Sequence, residues 1–242
     1  MRFYDFQVFS NLGTGEHNIA ELASMAERLG WTGMVIADNW EGPEKLKHLK
    51  TAIAVAQKEF KIELVPAVTL KPKDVQELKT QLNEVRQAVS VVIVAGGDYN
   101  VNRAACEDNR VDLLVHPELN RPDSGLDGIC LSAATANGVA IGVNFNTVLH
   151  DSHRARAKTL QHLALNMQLF REYRTPFVVV SGAHSKWELR DPRQLIALVN
   201  ILGAELPHAF AAASDVPAGI IDRNMKKIAG TLVGGVEVEN HG

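Results

Sequence analysis

Short apolar runs alternate with longer stretches in which apolar residues return every three or four positions, and the alternation begins at the start of the chain. Residues 3–9 read as a strand, after which Ile19, Leu22, Met25, Ala26 and Leu29 recur at helical spacing and stop at Gly30. Met34, Val35, Ile36 and Ala37 form the next apolar run, followed by a helical pattern over 43–60. Residues 62–70 read as a third strand and 73–87 as a polar helix laced with Lys and Glu. Val91 to Val94 is a fourth strand, closed by Gly96 and Gly97. Residues 111–115, 139–145 and 177–180 supply three more, with helices over 151–173 and 192–202.

Strands followed by helical segments imply parallel pairing through crossover helices. Continuous apolar runs such as 91–94 suit strands buried on both faces. A barrel and an open doubly wound sheet both fit, but no glycine-rich fingerprint follows the first strand, which weakens the dinucleotide-binding open sheet. The reading is therefore α/β, a TIM-type (β/α) barrel in a single domain over 1–242. Its eighth unit is irregular. Residues 209–213 and 217–228 look helical, and only Leu206 or the tail 233–238 offers an eighth strand.

Composition is that of a globular chain: 242 residues, 46% hydrophobic and 22% charged, long enough for one large core. The formal net charge of −3 excludes a uniformly basic nucleic-acid coat, so contact with RNA would have to come from local clusters. Cys106 and Cys130 stand far apart without zinc spacing, which points to a reduced, cytoplasmic setting. No signal peptide is read at the N-terminus, and no apolar run approaches the ~20 residues of a membrane span.

In such a barrel the working residues sit where strands end. Those ends carry Asp5, Gln7, Asp38, Asn39, Asp98, His116, Asn144, Asn146, Ser181 and His184, a polar mouth. A metal hydrolase needs three or four converging His, Asp or Glu ligands. Asp5, His116 and His184 could supply them, but no ligand motif is present, and polar residues that satisfy loop backbone are the simpler reading. Ser181 lacks a nucleophile elbow, and Gly96 with Gly97 reads as a turn before a phosphate cradle. No catalytic residue and no metal ligand is assigned.

The basic residues stand out by position. Asp151 or Ser152 is a candidate N-cap, yet the turns that follow carry Arg154, Arg156 and Lys158. Positive charge there opposes the helix dipole at ~0.3–1 kcal/mol per exposed charge. Asp191 and Pro192 open the next helix, surrounded by Lys186, Arg190 and Arg193. A local rule broken twice suggests an external anion, against the plainer reading of a solvated surface in which Arg190 pairs with Glu188.

Ser181-Gly182-Ala183, followed by Leu189-Arg190-Asp191-Pro192 and an apolar helix ending at Leu202-Gly203, resembles the TIM-barrel protein of archaeal and eukaryotic ribonuclease P, the family called protein component 3 in Archaea. Asp151-Ser152 with Arg156 and Asn166, the run Val111-Asp112-Leu113-Leu114, and residues 211–221 with Ser214 agree in order over 3–224. Gly142 departs, because the family often carries an acidic residue on that strand. The resemblance implies a PHP-like barrel that serves a ribonucleoprotein removing 5′ leaders from precursor tRNA. It implies cleavage by the RNA with its own magnesium, no cofactor on the protein, and partnership with ribonuclease P RNA, a small α/β subunit and other ribonuclease P proteins. A stand-alone metal-dependent hydrolase of the PHP-like type is the competing reading.

Overall fold

The computed structural model describes residues 1–229, together with the backbone of 232–233 and 236–237. Seven strands, β1 (Tyr4–Val8), β2 (Gly33–Ile36), β3 (Glu63–Leu70), β4 (Val91–Ala95), β5 (Leu113–Val115), β6 (Ala140–Asn144) and β7 (Phe177–Val180), pair in parallel in sequence order among the described residues. Between them run α1 (Ile19–Leu29), α2 (Pro43–Ala56), α3 (Val75–Val85), α4 (Tyr99–Glu107), α5 (Gly128–Asn137), α6 (Phe145–His150) and α7 (His153–Tyr173). The chain continues after β7 with α8 (Pro192–Ile201), α9 (Leu206–Ala211) and α10 (Asp215–Ile228). This is a nearly closed TIM-type barrel.

Local chemistry sets the helix ends. Asn18 caps α1 in a reciprocal box with Glu21, and Gly30 ends the helix in the left-handed region at φ 88°. Asp74, Asp98 and Asp127 each accept a backbone N–H at the start of α3, α4 and α5. Side-chain alternation then sorts the strands. Phe6, Val35, Ala67, Ile93, Leu113 and Val178 face the barrel interior, while Ile36, Val68, Val94, Leu114, Ile141 and Val179 face the helices.

The floor of the barrel is plugged by α10, which inserts Ala218, Ile220 and Ile221 among the interior side chains. Burial of each isoleucine is worth roughly 1.5–3 kcal/mol. Asn224 on the same helix donates to the Ser90 carbonyl and to Asp112 Oδ1, both at 2.8 Å. Asp112 is 1% exposed, accepts from Arg86 at 2.6 Å, and receives the Val92 N–H at 2.9 Å. Each oxygen of this buried carboxylate is thus satisfied.

The eighth position is filled without a strand. The Tyr4 N–H donates to the Ala213 carbonyl (2.9 Å) and the Val179 N–H to the Ala212 carbonyl (3.1 Å). The turn after α9 therefore occupies the gap between β1 and β7. Nearer the mouth the two strands meet directly: Val8 and Ala183 form a parallel bridge, and the Ser181 N–H reaches Asp5 Oδ1 at 3.0 Å. Leu206, one candidate for an eighth strand, instead opens α9. In the tail, β8 (Leu232–Val233) and β9 (Val236–Glu237) pair with each other, antiparallel, in a separate sheet; positions 234, 235 and 238 lie outside the described residues.

The helices α4 and α5 were not read from the sequence, and two bounds near the mouth also differ from that reading. The strand expected to run on to 145 ends at Asn144, where its side chain caps the short helix α6 by accepting the Asn146 N–H. The helix expected from 151 begins at His153, because Asp151 closes α6.

Candidate functional site

The loops that follow the strands enclose a cavity of about 420 Å³ at the C-terminal mouth. Gln7, Thr69, Lys71, His116, Asn144, Asn146, Thr147 and His184 line it. Asn144 binds Gln7 across the barrel (Nδ2 to Oε1, 3.0 Å). Gly182 allows this arrangement, since at φ +63° a Cβ there would stand 2.4 Å from the Asn144 amide. His184 stacks on Phe9 with ring centroids 4.2 Å apart and holds the Gly182 carbonyl through Nδ1 at 3.1 Å. His116 adopts φ 52°, and its Nδ1 lies 3.2 Å from the Thr147 hydroxyl.

Burial disfavours the protonated form of both imidazoles. Burial, and then the charges of Lys71 and His184, push His116 down to about 4. Burial is also the main cause lowering His184. Burial pushes the Glu118 carboxyl up to about 7, and its Oε1 is 4.0 Å from His116 Nδ1, too far for a hydrogen bond.

Of the three conceivable metal donors, His116 and His184 line the mouth, whereas Asp5 is drawn away into the β1–β7 seam. Among the described residues no three His, Cys, Asp or Glu side chains group so as to hold a metal ion. Gly142 faces the interior, where a Cβ would stand 2.6 Å from Val115 Cγ1; the strand position expected to be acidic in relatives is here closed by valine.

The basic residues divide into two sets. At the start of α7, Arg154 is exposed and makes no side-chain hydrogen bond or ion pair among the described residues. Arg156 is exposed, and its guanidinium turns back to the Leu149 carbonyl at 3.1 Å. Lys158 reaches across to the Arg121 carbonyl at 2.9 Å. The expected side-chain cap is missing here: Ser152 occupies the cap position without bonding, and Asp151 instead accepts from the Thr159 hydroxyl at 2.5 Å. Without a side-chain cap, the helix start keeps its positive potential, although the Ala155 N–H still donates to the Ser152 carbonyl at 2.9 Å.

The second set surrounds α8, which does carry the expected cap: Asp191 with Gln194 in a reciprocal box, and Pro192 in the first turn. Lys186 pairs with Glu21 at 2.8 Å and lies 5.2 Å from the Trp187 ring centroid. Arg190 does not pair with Glu188. Its guanidinium donates to the Trp187 and Leu189 carbonyls and covers the Phe145 ring at 5.0 Å, while its own carbonyl accepts from Trp31 Nε1 at 2.8 Å. That network gives Arg190 a structural role. Arg193 is exposed, with no side-chain partner among the described residues.

Two residues were not singled out by the sequence for these roles. Glu188 gathers the mouth loops, accepting from the His184 N–H (2.8 Å) and Asn146 Nδ2 (3.0 Å) and meeting His150 at 2.6 Å. Burial works to raise its carboxyl, but the His184 N–H and His150 outweigh it and hold it below the usual range. Trp187 is 69% exposed beside Lys186 and Arg28, an aromatic among cations. A large aromatic between two basic positions is the only signal the sequence offered.

The chain is 34% identical over 222 residues to ribonuclease P protein component 3 of Methanosarcina mazei, covering 92% of this chain and 90% of that one. The Methanosarcina barkeri protein of the same name is 34% identical over 241 residues, covering 100% and 97%. A chain in the cryo-EM structure of archaeal ribonuclease P with mature tRNA superposes with a TM-score of 0.83, 25% identity and 99% of both chains covered. The histidinol phosphate phosphatase of Lactococcus lactis shares the fold alone, at a TM-score of 0.58 and 12% identity over 84% of this chain and 95% of that one. The family described as RNase P subunit p30 matches residues 2–229, and the chain belongs to that family.

Proposed function

We propose that this barrel acts as a protein subunit of ribonuclease P that supports RNA folding and assembly, while the RNA cleaves the 5′ leader of precursor tRNA with magnesium of its own. The observation that carries this reading is the superposition over 99% of both chains on a component of an archaeal ribonuclease P particle. The two basic sets fit the role of RNA contacts. Arg154 and Arg193 are exposed and uncommitted among the described residues, one of them at a helix start that lacks a side-chain cap. Trp187 beside Lys186 adds a surface on which an unpaired base can stack. A small α/β protein and the other ribonuclease P proteins are the expected partners, in the cytoplasm. Among the described residues no helix is long and apolar enough to cross a membrane.

Capture of the tagged chain from cells tests the reading. One defined structured RNA should accompany it, and adding the chain to that RNA with partner subunits should enhance cleavage of precursor tRNA at the mature 5′ end. The purified chain alone should cleave nothing. RNA-free cleavage lost on substitution of His116, or stoichiometric tightly bound metal, would establish the stand-alone hydrolase instead.

A further inference from the structure

We propose that the cavity at the barrel mouth binds a phosphate monoester, with Lys71 as the charged contact and the imidazoles of His116 and His184 beside it. The cavity is independent of the basic rim and of the ribonuclease P role, and the proposal stands on its own geometry.

Three observations converge on an anion. First, no carboxylate lines the cavity. Glu118 lines a neighbouring cavity, with its Oε1 4.0 Å from His116 Nδ1, and Glu188 is occupied by His150, Asn146 and the His184 N–H. Second, Lys71 lines the cavity and makes no hydrogen bond or ion pair among the described residues. Its charge presses on both imidazoles, lowering each. A cation that disfavours protonation of two neighbours marks a site of uncompensated positive potential, and an anion placed there removes the conflict. Third, the volume of about 420 Å³ lies in the range of small-molecule sites, ~300–1,000 Å³, and exceeds the needs of a bare ion.

The hydrogen-bond partners define what each imidazole can offer. With the Thr147 hydroxyl donating to His116 Nδ1, the proton of that ring sits on Nε2, free to donate to a phosphoryl oxygen. The His184 ring gives its Nδ1 proton to the Gly182 carbonyl, so its Nε2 is bare until the ring is protonated. Around His184 stand Glu188, which favours the proton, and Lys71 and His150, which oppose it, with the uncharged Phe9 ring stacked on its face. A bound phosphate screens Lys71 and tips this balance, so binding takes up a proton at His184 and tightens as pH falls. The recognised chemistry is shared by the 5′-phosphate of an RNA end and by a free nucleotide.

Calorimetric titration of the purified chain tests this with four probes: inorganic phosphate, a nucleoside 5′-monophosphate, and a short RNA with either a 5′-phosphate or a 5′-hydroxyl. Saturable binding with one site per chain is expected, weakened about tenfold by Lys71→Met, which removes one charge-assisted hydrogen bond. The exposed control Lys47→Met should bind as the parent does. Proton uptake, read from buffers of different ionisation heat, should fall in His184→Gln by the share the imidazole takes, leaving the exchange that belongs to the phosphate's own second ionisation, near pH ~6. Tighter binding of the 5′-phosphorylated RNA identifies an RNA end as the ligand, whereas equal affinity for the mononucleotide identifies a free nucleotide; either supports the site. Absence of saturable binding by every probe, or binding unchanged by Lys71→Met, overturns it. The imidazole resonances of the unmodified chain give a second reading that needs no variant: if phosphate leaves those of His116 and His184 unmoved, the cavity is only hydrated.

Discussion

Asp5 Oδ1 accepts the backbone N–H of Ser181 at 3.0 Å, so a side chain of the first strand holds the main chain leaving the last. Burial raises that carboxyl to about 6 against the opposing Ser181 bonds, and its second oxygen has no partner among the described residues. The folded chain therefore keeps the proton at pH values where the unfolded chain has lost it. Stability from this group is present below about pH 4 and is lost as pH rises toward 6, by up to roughly 3 kcal/mol.

Asp5→Asn removes this titration while leaving Glu118 and His116 in place. Denaturant titrations at pH 4, 5, 6 and 7 should show the variant gaining on the parent as pH rises. A difference that stays constant across this range would mean that Asp5 ionises freely in the folded chain.

Gly182→Ala should cost about 2–4 kcal/mol, from left-handed backbone strain together with the clash on Asn144. Asn144→Ala alone loses the α6 cap and the Gln7 bond, so it serves as the reference: added to it, Gly182→Ala should cost only the ~1–2 kcal/mol of backbone strain. Thermal melts of both single variants and the double decide this; additive losses would place the whole cost in the backbone.

Asp112→Ala removes the carboxylate that partly buried Arg86 and Asn224 share, and Asn224 anchors α10 in the barrel floor. A loss of about 3–5 kcal/mol is expected, as for other broken buried pairs. Urea midpoints within the error of the parent would show that α10 is held by its apolar face alone.

Neutralising Arg154, Lys158 and Arg193 together should weaken RNA assembly and flatten its salt dependence by about one slope unit for each phosphate these side chains had neutralised. Exposed charges cost within ~0.5 kcal/mol to remove, so the triple variant should melt as the parent does. If affinity and salt slope are also unchanged, the rim is a solvated surface.

The barrel was legible where one physical signal dominates. Strands 91–94 and 177–180 are continuous apolar runs, and Asp191 with Pro192 announces α8 through local chemistry alone. Closure was not legible, because the carbonyls of Ala212 and Ala213 do the work of an eighth strand and a backbone group leaves no mark in side-chain pattern. The short α6 escaped for a similar reason: six residues are too few to establish a period, and the Asn144 cap reads equally well as the end of a strand. The basic positions were visible, but not their allegiance. Only the folded chain shows Lys158 turned to the Arg121 carbonyl and Lys186 to Glu21.

Closure by the turn after α9 also fixes an order of events in synthesis. The Tyr4 N–H finds its acceptor at Ala213, made more than two hundred residues later, and the floor needs Ile220 and Ile221 beyond it. Until these residues have emerged, β1 is an open edge and the interior faces water, a state prone to aggregate. Pairings so distant in sequence also slow the final step. A nascent chain stalled before α10 is therefore the form of this barrel most dependent on chaperones.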